Sequence, residues 1–412
     1  MLAIAQENAG RRTKKADVRI DNEIHSQLNT PRQPMKSPVR TTLFHPLLAL
    51  TASVALGGEP ETVQRRAAVM GTWLSVELEA PDRASGLAAS EKAFEAVRRA
   101  ETRLSTWGET SELARFNRSA VGVAFDLSDE LRSEFEQVTR LWRETDGCFD
   151  PGIGALVEAW GLRSGGRKPS EAEVATGLAP SGLESLELEG STARRLHAAL
   201  RIEEGGFGKG SALDAAIDAL DHAGVRAAIV DLGGQVSILG KGAREISVAH
   251  PRRRESPAVV LTIDHGSLAT SGNSERAIEV DGVERAHILD PRTGDPAPNF
   301  GSVSVWAGDG LSADALSTAL FVMGPDRALT WATAHDGIEV LVLQHPEDSS
   351  GALRVRATPG LAGRLRAAGE QLDIEYFGGD ENALPLPPTD ETLRPISAKP
   401  FNLRSTAAES RQ

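Results

Sequence analysis

Asp314 and Thr318 stand four residues apart in the run Leu311-Ser312-Ala313-Asp314-Ala315-Leu316-Ser317-Thr318. On a helix that spacing puts both side chains on one face. A carboxylate and a hydroxyl are hard oxygen donors suited to Mg²⁺, which takes few protein ligands and completes its shell with water or phosphate oxygens. Helix capping by Ser312, with Asp314 favouring the dipole, also accounts for the aspartate. It leaves an Asp–Thr pair among Ala and Leu unexplained. A second cluster, Gly205-Gly206-Phe207-Gly208-Lys209-Gly210-Ser211, runs into a helix that carries Asp214. Its glycines let a ligand approach the backbone, a helix start offers free N–H groups to an anion, and Lys209 adds positive charge. A tight turn with a solvated lysine is the plainer alternative. The segment is neither a phosphate loop, since Gly210 follows Lys209, nor a dinucleotide fingerprint.

His287 lies in Ala286-His287-Ile288-Leu289-Asp290-Pro291-Arg292-Thr293-Gly294. Histidine is the usual base near neutral pH, and a packed histidine before a turn is the competing reading. Asp146 and Asp150, in Asp146-Gly147-Cys148-Phe149-Asp150, could hold polar atoms of a ribose or ring, or end a helix. Cys148 reads as a small buried residue, and as the single cysteine it excludes internal disulfides and cysteine-based zinc clusters. Met70 and Trp107 offer apolar faces to a flat ring system, or pack in a core. The histidines form no H-E-x-x-H pair and no G-x-S-x-G elbow occurs.

Helices and strands must position these residues. Helical spacing marks Ser90–Leu104, Asp129–Thr145, Ser211–Ala223 and Leu311–Met323. Strand patterns mark Arg226–Leu232, Val236–Leu239, Glu245–Ala249, Ala258–Ile263, His287–Leu289, Ser302–Trp306 and Gly337–Leu343. Runs of strands beside separate helices point to an α+β fold with antiparallel sheets and packed helices.

The chain has 412 residues and a formal net charge of −13, with 40% hydrophobic and 25% charged residues. That composition excludes collagen, coiled coil and multi-pass membrane protein. The acidic body argues against nucleic acid as a partner. Charge is uneven. Residues 1–42 carry an excess of four positive charges, which leaves −17 for the remainder. Residues 1–60 read as a disordered basic extension. Within it, 35–58 runs basic, apolar, then small from Met35, the layout of a secretory signal. This sets up an expectation of export, to the periplasm in a bacterial cell, with Met35 as the start. No cysteine is available there for a lipid anchor. Residues 62–377 form the expected domain, and 378–412 a Pro-rich tail.

Taken in order, the clusters resemble the ApbE-type FAD:protein FMN transferases over roughly residues 67–343. The resemblance rests on M-G-T at Met70–Thr72, L-S-x-W ending at Trp107, S-E-x-x-x-x-N from Ser111 to Asn117, and D-G-x-F-D at Asp146–Asp150. It continues with G-G-x-x-K-G-x-A-x-D at Gly205–Asp214, Gly233-Gly234, and A-T-S-G at Ala269–Gly272. H-I-x-D-P-x-T-G at His287–Gly294 and A-D-A-L-S-T at Ala313–Thr318 complete it. It implies an ApbE (T-fold-like) α+β domain, FAD as donor substrate, Mg²⁺ as cofactor, and FMN transfer to a Thr or Ser of an acceptor protein with release of AMP. A subunit of a membrane redox complex is one acceptor to expect. By the same resemblance Asp314, Thr318 and the carbonyl of Gly206 would bind the metal. Met70, Trp107, Asp146, Lys209 and Ile288 would line the FAD site, and His287 would be the base. One departure is visible: Glu203-Glu204 stands where the family pattern reads D-L. Two other activities fit the same residues, a Mg²⁺-dependent FAD pyrophosphatase giving FMN and AMP, and a non-catalytic flavin-binding protein.

Overall fold

The computed structural model describes residues 60–378, apart from 179–181, 273–277, 281–282, 347–351, 370–371 and 373. The extension carrying the signal-like segment 35–58 and the tail beyond residue 378 lie outside the described residues. Nine strands form one sheet whose spatial order follows the chain: β1 (Glu61–Val69), β2 (Thr72–Ala80), β3 (Ala227–Leu232), β4 (Gln235–Gly240), β5 (Gly266–Gly272), β6 (Gly301–Ala307), β7 (Glu339–Gln344), β8 (Arg354–Ala357) and β9 (Ile374–Tyr376). Neighbours pair antiparallel except β8 and β9, which run parallel. The helices are α1 (Arg83–Leu104), α2 (Glu112–Asn117), α3 (Asp129–Glu144), α4 (Gly154–Ala159), α5 (Glu171–Leu178), α6 (Gly208–His222), α7 (Gly310–Met323) and α8 (Pro325–Thr333). The fold is therefore α+β with a mainly antiparallel sheet.

Period-two patterning decides what each face of the sheet meets. Leu74, Val76 and Leu78 of β2 and Val230 and Leu232 of β3 pack under α1 and α6, with Phe94, Val97 and Leu213. Further along, Val303 and Val305 of β6 join Leu316 and Leu320 of α7. On the opposite face Trp306, Leu341 and Leu343 meet Val259 and Leu261. Those last two come from the hairpin Arg244–His250 and Arg253–Ile263, which forms a small sheet with Leu365–Ala367. Strand β6 is buried along its whole length because both faces are covered.

Sequence periodicity placed most elements and missed some ends. Helix α1 starts at Arg83, seven residues before its first strong apolar repeat, because the Asp82 side chain caps it by accepting from Ser85 N at 2.8 Å. Helix α6 starts at Gly208, so Lys209 and Gly210 belong to its first turn. The expected strand at His287–Leu289 is absent. Only Leu289 makes a bridge, to Pro296, because Asp290-Pro291-Arg292-Thr293-Gly294 turns the chain at once, with Gly294 N bonded to Asp290 O at 2.8 Å. The hairpin β1–β2, unmarked by the strand patterns, closes on Met70-Gly71. Both have positive φ (51° and 68°), the two-residue turn that matches strand twist. Gly233-Gly234 closes β3–β4 in the same way.

Helices α6 and α7 cross at their first turns with almost no space between them. A methyl group on Gly210 would fall 2.1 Å from the carbonyl oxygen of Gly310, and one on Gly310 would fall 2.5 Å from that of Gly210. Only glycine fits at both places. Gly210→Ala must push the helices apart, and a loss of at least about 1–3 kcal/mol, the usual cost of overpacking, is expected in urea unfolding. An unchanged midpoint would show that the contact is looser than described.

Candidate active site

The crossing brings two helix N-termini together, each with unpaired N–H groups and a partial positive charge. Each helix answers the other with a carboxylate. Asp214 of α6 accepts from Gly310 N (2.5 Å) and Leu311 N (2.9 Å) of α7. Asp314 of α7 accepts from Gly210 N of α6 at 3.1 Å. The cap of α7 is Asp309, which accepts from Ser312 N at 2.8 Å, not Ser312. Asp314 is thus a second-turn residue, only 4% exposed, and helix capping does not explain it. Lys209 Nζ lies 3.8 Å from Asp314 Oδ1.

Around Asp314 the structure gathers further oxygens. Thr318 follows one turn later on the same face, its hydroxyl donating to Asp314 O at 3.3 Å. The turn Glu204–Gly206 sits against it: a methyl group on Gly206 would be 3.5 Å from Thr318 Oγ1 and 3.2 Å from the Phe149 ring. Ser271, at the end of β5, lies 2.8 Å from Ser317 Oγ and 3.4 Å from Thr318 Oγ1. It adds a hydroxyl to which the sequence reading gave no role. In the chain Ser271 stands only as one hydroxyl of Ala269-Thr270-Ser271-Gly272; it shares a strand face with Ala269, which belongs to the core that includes Leu316 and Leu320 of α7.

The donor set suits Mg²⁺. Its members are oxygens only, the Asp314 carboxylate and the Thr318 and Ser271 hydroxyls, with the backbone of a glycine-rich turn beside them. Among the described residues no group of three or more His, Cys, Asp or Glu could hold a metal alone. An ion here would complete its shell from water or phosphate, as Mg²⁺ commonly does.

The other expected site residues lie on separate connections of the fold. Met70 tops the β1–β2 turn, held by Met70 N donating to Glu101 Oε1 at 2.9 Å. Its methyl lies 3.9 Å from the position of a Cβ on Gly208, at the α6 start. An open hollow of about 520 Å³, lined by Met70, Gly71, Thr72, Trp73 and Glu101, adjoins this end of the sheet. Trp107 is exposed and is joined to the glycine turn through Thr106, which bonds Glu204. The Glu203-Glu204 departure thus has a local use. Asp146 is exposed at the end of α3 in a left-handed conformation (φ 51°). Ile288 points into the core shared with Phe149, Phe207 and Leu311, so any contact it makes with a ligand falls to its backbone. His287 precedes it, half-buried.

One expectation is corrected. Asp150 is not available to a ligand: its buried carboxylate accepts from Gly152 N (2.7 Å) and Leu183 N (3.1 Å). Burial, opposed by those bonds, pushes its pKa up to about 6. The S-E-x-x-x-x-N segment is scaffold. Ser111 caps α2, Glu112 accepts from Ser128, and Asn117 exchanges two 2.8 Å bonds with the backbone of Ile202, steadying the segment that leads into the glycine turn. Cys148 is buried and its thiol pKa is raised by that burial, as an inert packing residue requires.

A family model described as "ApbE family" matches residues 70–342. The chain belongs to the ApbE family. It is 32% identical over 345 residues to the FAD:protein FMN transferase of Rhodobacter capsulatus, covering 80% of this chain and 64% of that protein. It is 29% identical over 317 residues to the FAD:protein FMN transferase of Vibrio cholerae, covering 73% of this chain and 94% of that one. The apo structure of the flavinyl transferase ApbE of Pseudomonas stutzeri superposes with a TM-score of 0.65 at 25% identity, over 73% of this chain and 96% of that one. The matched span of this ApbE-family chain contains the whole α6–α7 crossing.

Burial raises the carboxyl of Asp214 to a pKa of about 7 against the pull of its two backbone bonds. The folded protein therefore holds that proton more tightly than the unfolded chain. Asp214's stabilising contribution is full below about pH 4, the ordinary carboxyl range, and is lost as pH rises through about 7. Asp214→Asn keeps an acceptor for the α7 N–H groups and removes the titration. Its unfolding free energy should fall less steeply than wild type between pH 4 and 7 in urea titrations. Parallel profiles would refute the assignment.

Proposed function

We propose that this chain transfers FMN from FAD to a Thr or Ser hydroxyl of an acceptor protein and releases AMP. One observation carries the reading: the N-terminus of α6, Lys209 and the buried carboxylate of Asp314 with the Thr318 and Ser271 hydroxyls come together at the α6–α7 crossing, groups whose chemistry suits a phosphate and a metal ion. Relatives that match the chain across that span are named FAD:protein FMN transferases.

In this reading Asp314, Thr318 and the Gly206 carbonyl hold Mg²⁺. When bound, the ion supplies positive charge to the pyrophosphate and to the AMP leaving group. The N–H groups at the start of α6 and Lys209 bind and orient the same phosphates, those of α7 being taken up by Asp214 and Asp309. Met70 and Trp107 present apolar faces to the rings of the dinucleotide, and Asp146 borders them. His287 takes the proton from the acceptor hydroxyl as its oxygen bonds to the FMN phosphorus and the bond from that phosphorus to the AMP oxygen breaks. The product is FMN joined to protein by a phosphoester. Export, supported by the basic–apolar–small order of 35–58, would place this chemistry on acceptors outside the cytoplasm, membrane redox subunits among them.

The test mixes protein, FAD, Mg²⁺ and acceptor peptides with Thr or Ser, and reads FMN adducts by mass spectrometry. Adduct formation is expected. Release of FMN and AMP at the same rate without acceptor would instead establish the pyrophosphatase. Asp314→Ala should abolish transfer with the fold intact, and His287→Ala should slow it about 10²–10⁴-fold. Full activity of Asp314→Ala at ordinary Mg²⁺ would remove the metal assignment.

A further inference from the structure

Trp107 is 65% exposed, yet the residue before it is bonded at every polar atom. Thr106 N donates to Glu204 Oε1 at 3.2 Å, and its hydroxyl donates to Glu204 Oε2. Arg163, on the connection between α4 and α5, donates to the Thr106 carbonyl at 2.7 Å and to the Thr106 hydroxyl at 2.5 Å, and also pairs with Glu203. The same guanidinium lies 5.2 Å over the Trp107 ring. So little of the ring is buried that hydrophobic packing cannot fix it, whereas this ionic frame can. The Cβ of Glu204 sits 3.1 Å from the position of a Cβ on Gly208, so the frame is anchored on the first residue of α6.

We propose that Glu204, Thr106 and Arg163 fix the Trp107 ring as a stacking face for an aromatic ring of the donor dinucleotide, Glu204 being a positioning residue for donor binding. This rests on the flavin-transfer reading. An ordered ring avoids the entropy cost of immobilising it when the donor binds, and that cost, per side chain, is equivalent to about a 3–10-fold change in affinity.

The experiment uses the full chain and two readouts: calorimetric FAD binding without acceptor, and KM and kcat for FAD with acceptor. Glu204→Leu, which cannot accept from Thr106, should raise the Kd and KM for FAD about 3–10-fold while kcat at saturating FAD is retained. Glu204→Gln, which keeps an acceptor, should restore most of the affinity. Thr106→Val removes the hydroxyl from the other side and should reproduce the Glu204→Leu effect, which covers the case in which Glu204→Leu does not fold. Wild-type FAD affinity in both Glu204→Leu and Thr106→Val, or a fall in kcat with KM unchanged, overturns the proposal. Failure of the wild-type protein to bind FAD overturns the flavin-transfer reading and this inference with it, and is told apart by the first titration.

Discussion

The structure depends on one contact, the backbone-to-backbone crossing of Gly210 and Gly310. Two helices can meet at their first turns only if neither carries a side chain there. Once they meet, two sets of unpaired N–H groups and two partial positive charges face the same place. Such an arrangement repels itself until anions neutralise it. Asp214 and Asp314 each reach across to accept from N–H groups of the other helix. On the proposed reading a phosphate takes the start of α6, so the contact that holds the fold also defines the site.

Carboxylates at this crossing are divided by role. Asp214 spends both oxygens on α7 backbone and is scaffold. Asp314 accepts from Gly210 N, lies near Lys209, and shares a helix face with Thr318. Glu134 shows how the scaffold is braced from behind. It is buried, takes two bonds from Arg103 and one from Ser211, and so ties α1 and α3 to the first turn of α6. A buried carboxylate is costly unless it is satisfied in this way.

Much of this was legible in the chain. The i, i+4 spacing of Asp314 and Thr318 put them on one helix face, as observed, and the apolar periods located α3 and α7 to within a residue or two. What resisted reading was non-local. Nothing near Gly210 says that its partner is Gly310, a hundred positions on, and the role of Asp214 follows only from that pairing. Asp150 looked like a ligand contact because its neighbours resemble a loop, and only the return of Leu183 onto its carboxylate shows otherwise. His287 sat in a strand-like pattern, but the Asp290–Gly294 turn allows no ladder. Glu204 broke the family pattern, and its bonding to Thr106 lies almost a hundred residues back.

The central claim is that the α6–α7 crossing forms a joint metal and phosphate site. A crystal structure with FAD and Mn²⁺ as an anomalous stand-in for Mg²⁺ tests it most directly. The account predicts a metal peak bounded by Asp314, Thr318 and the Gly206 carbonyl, with the FAD pyrophosphate on it and on the N–H groups at the start of α6. A metal peak elsewhere, or a pyrophosphate bound away from the crossing, would contradict it.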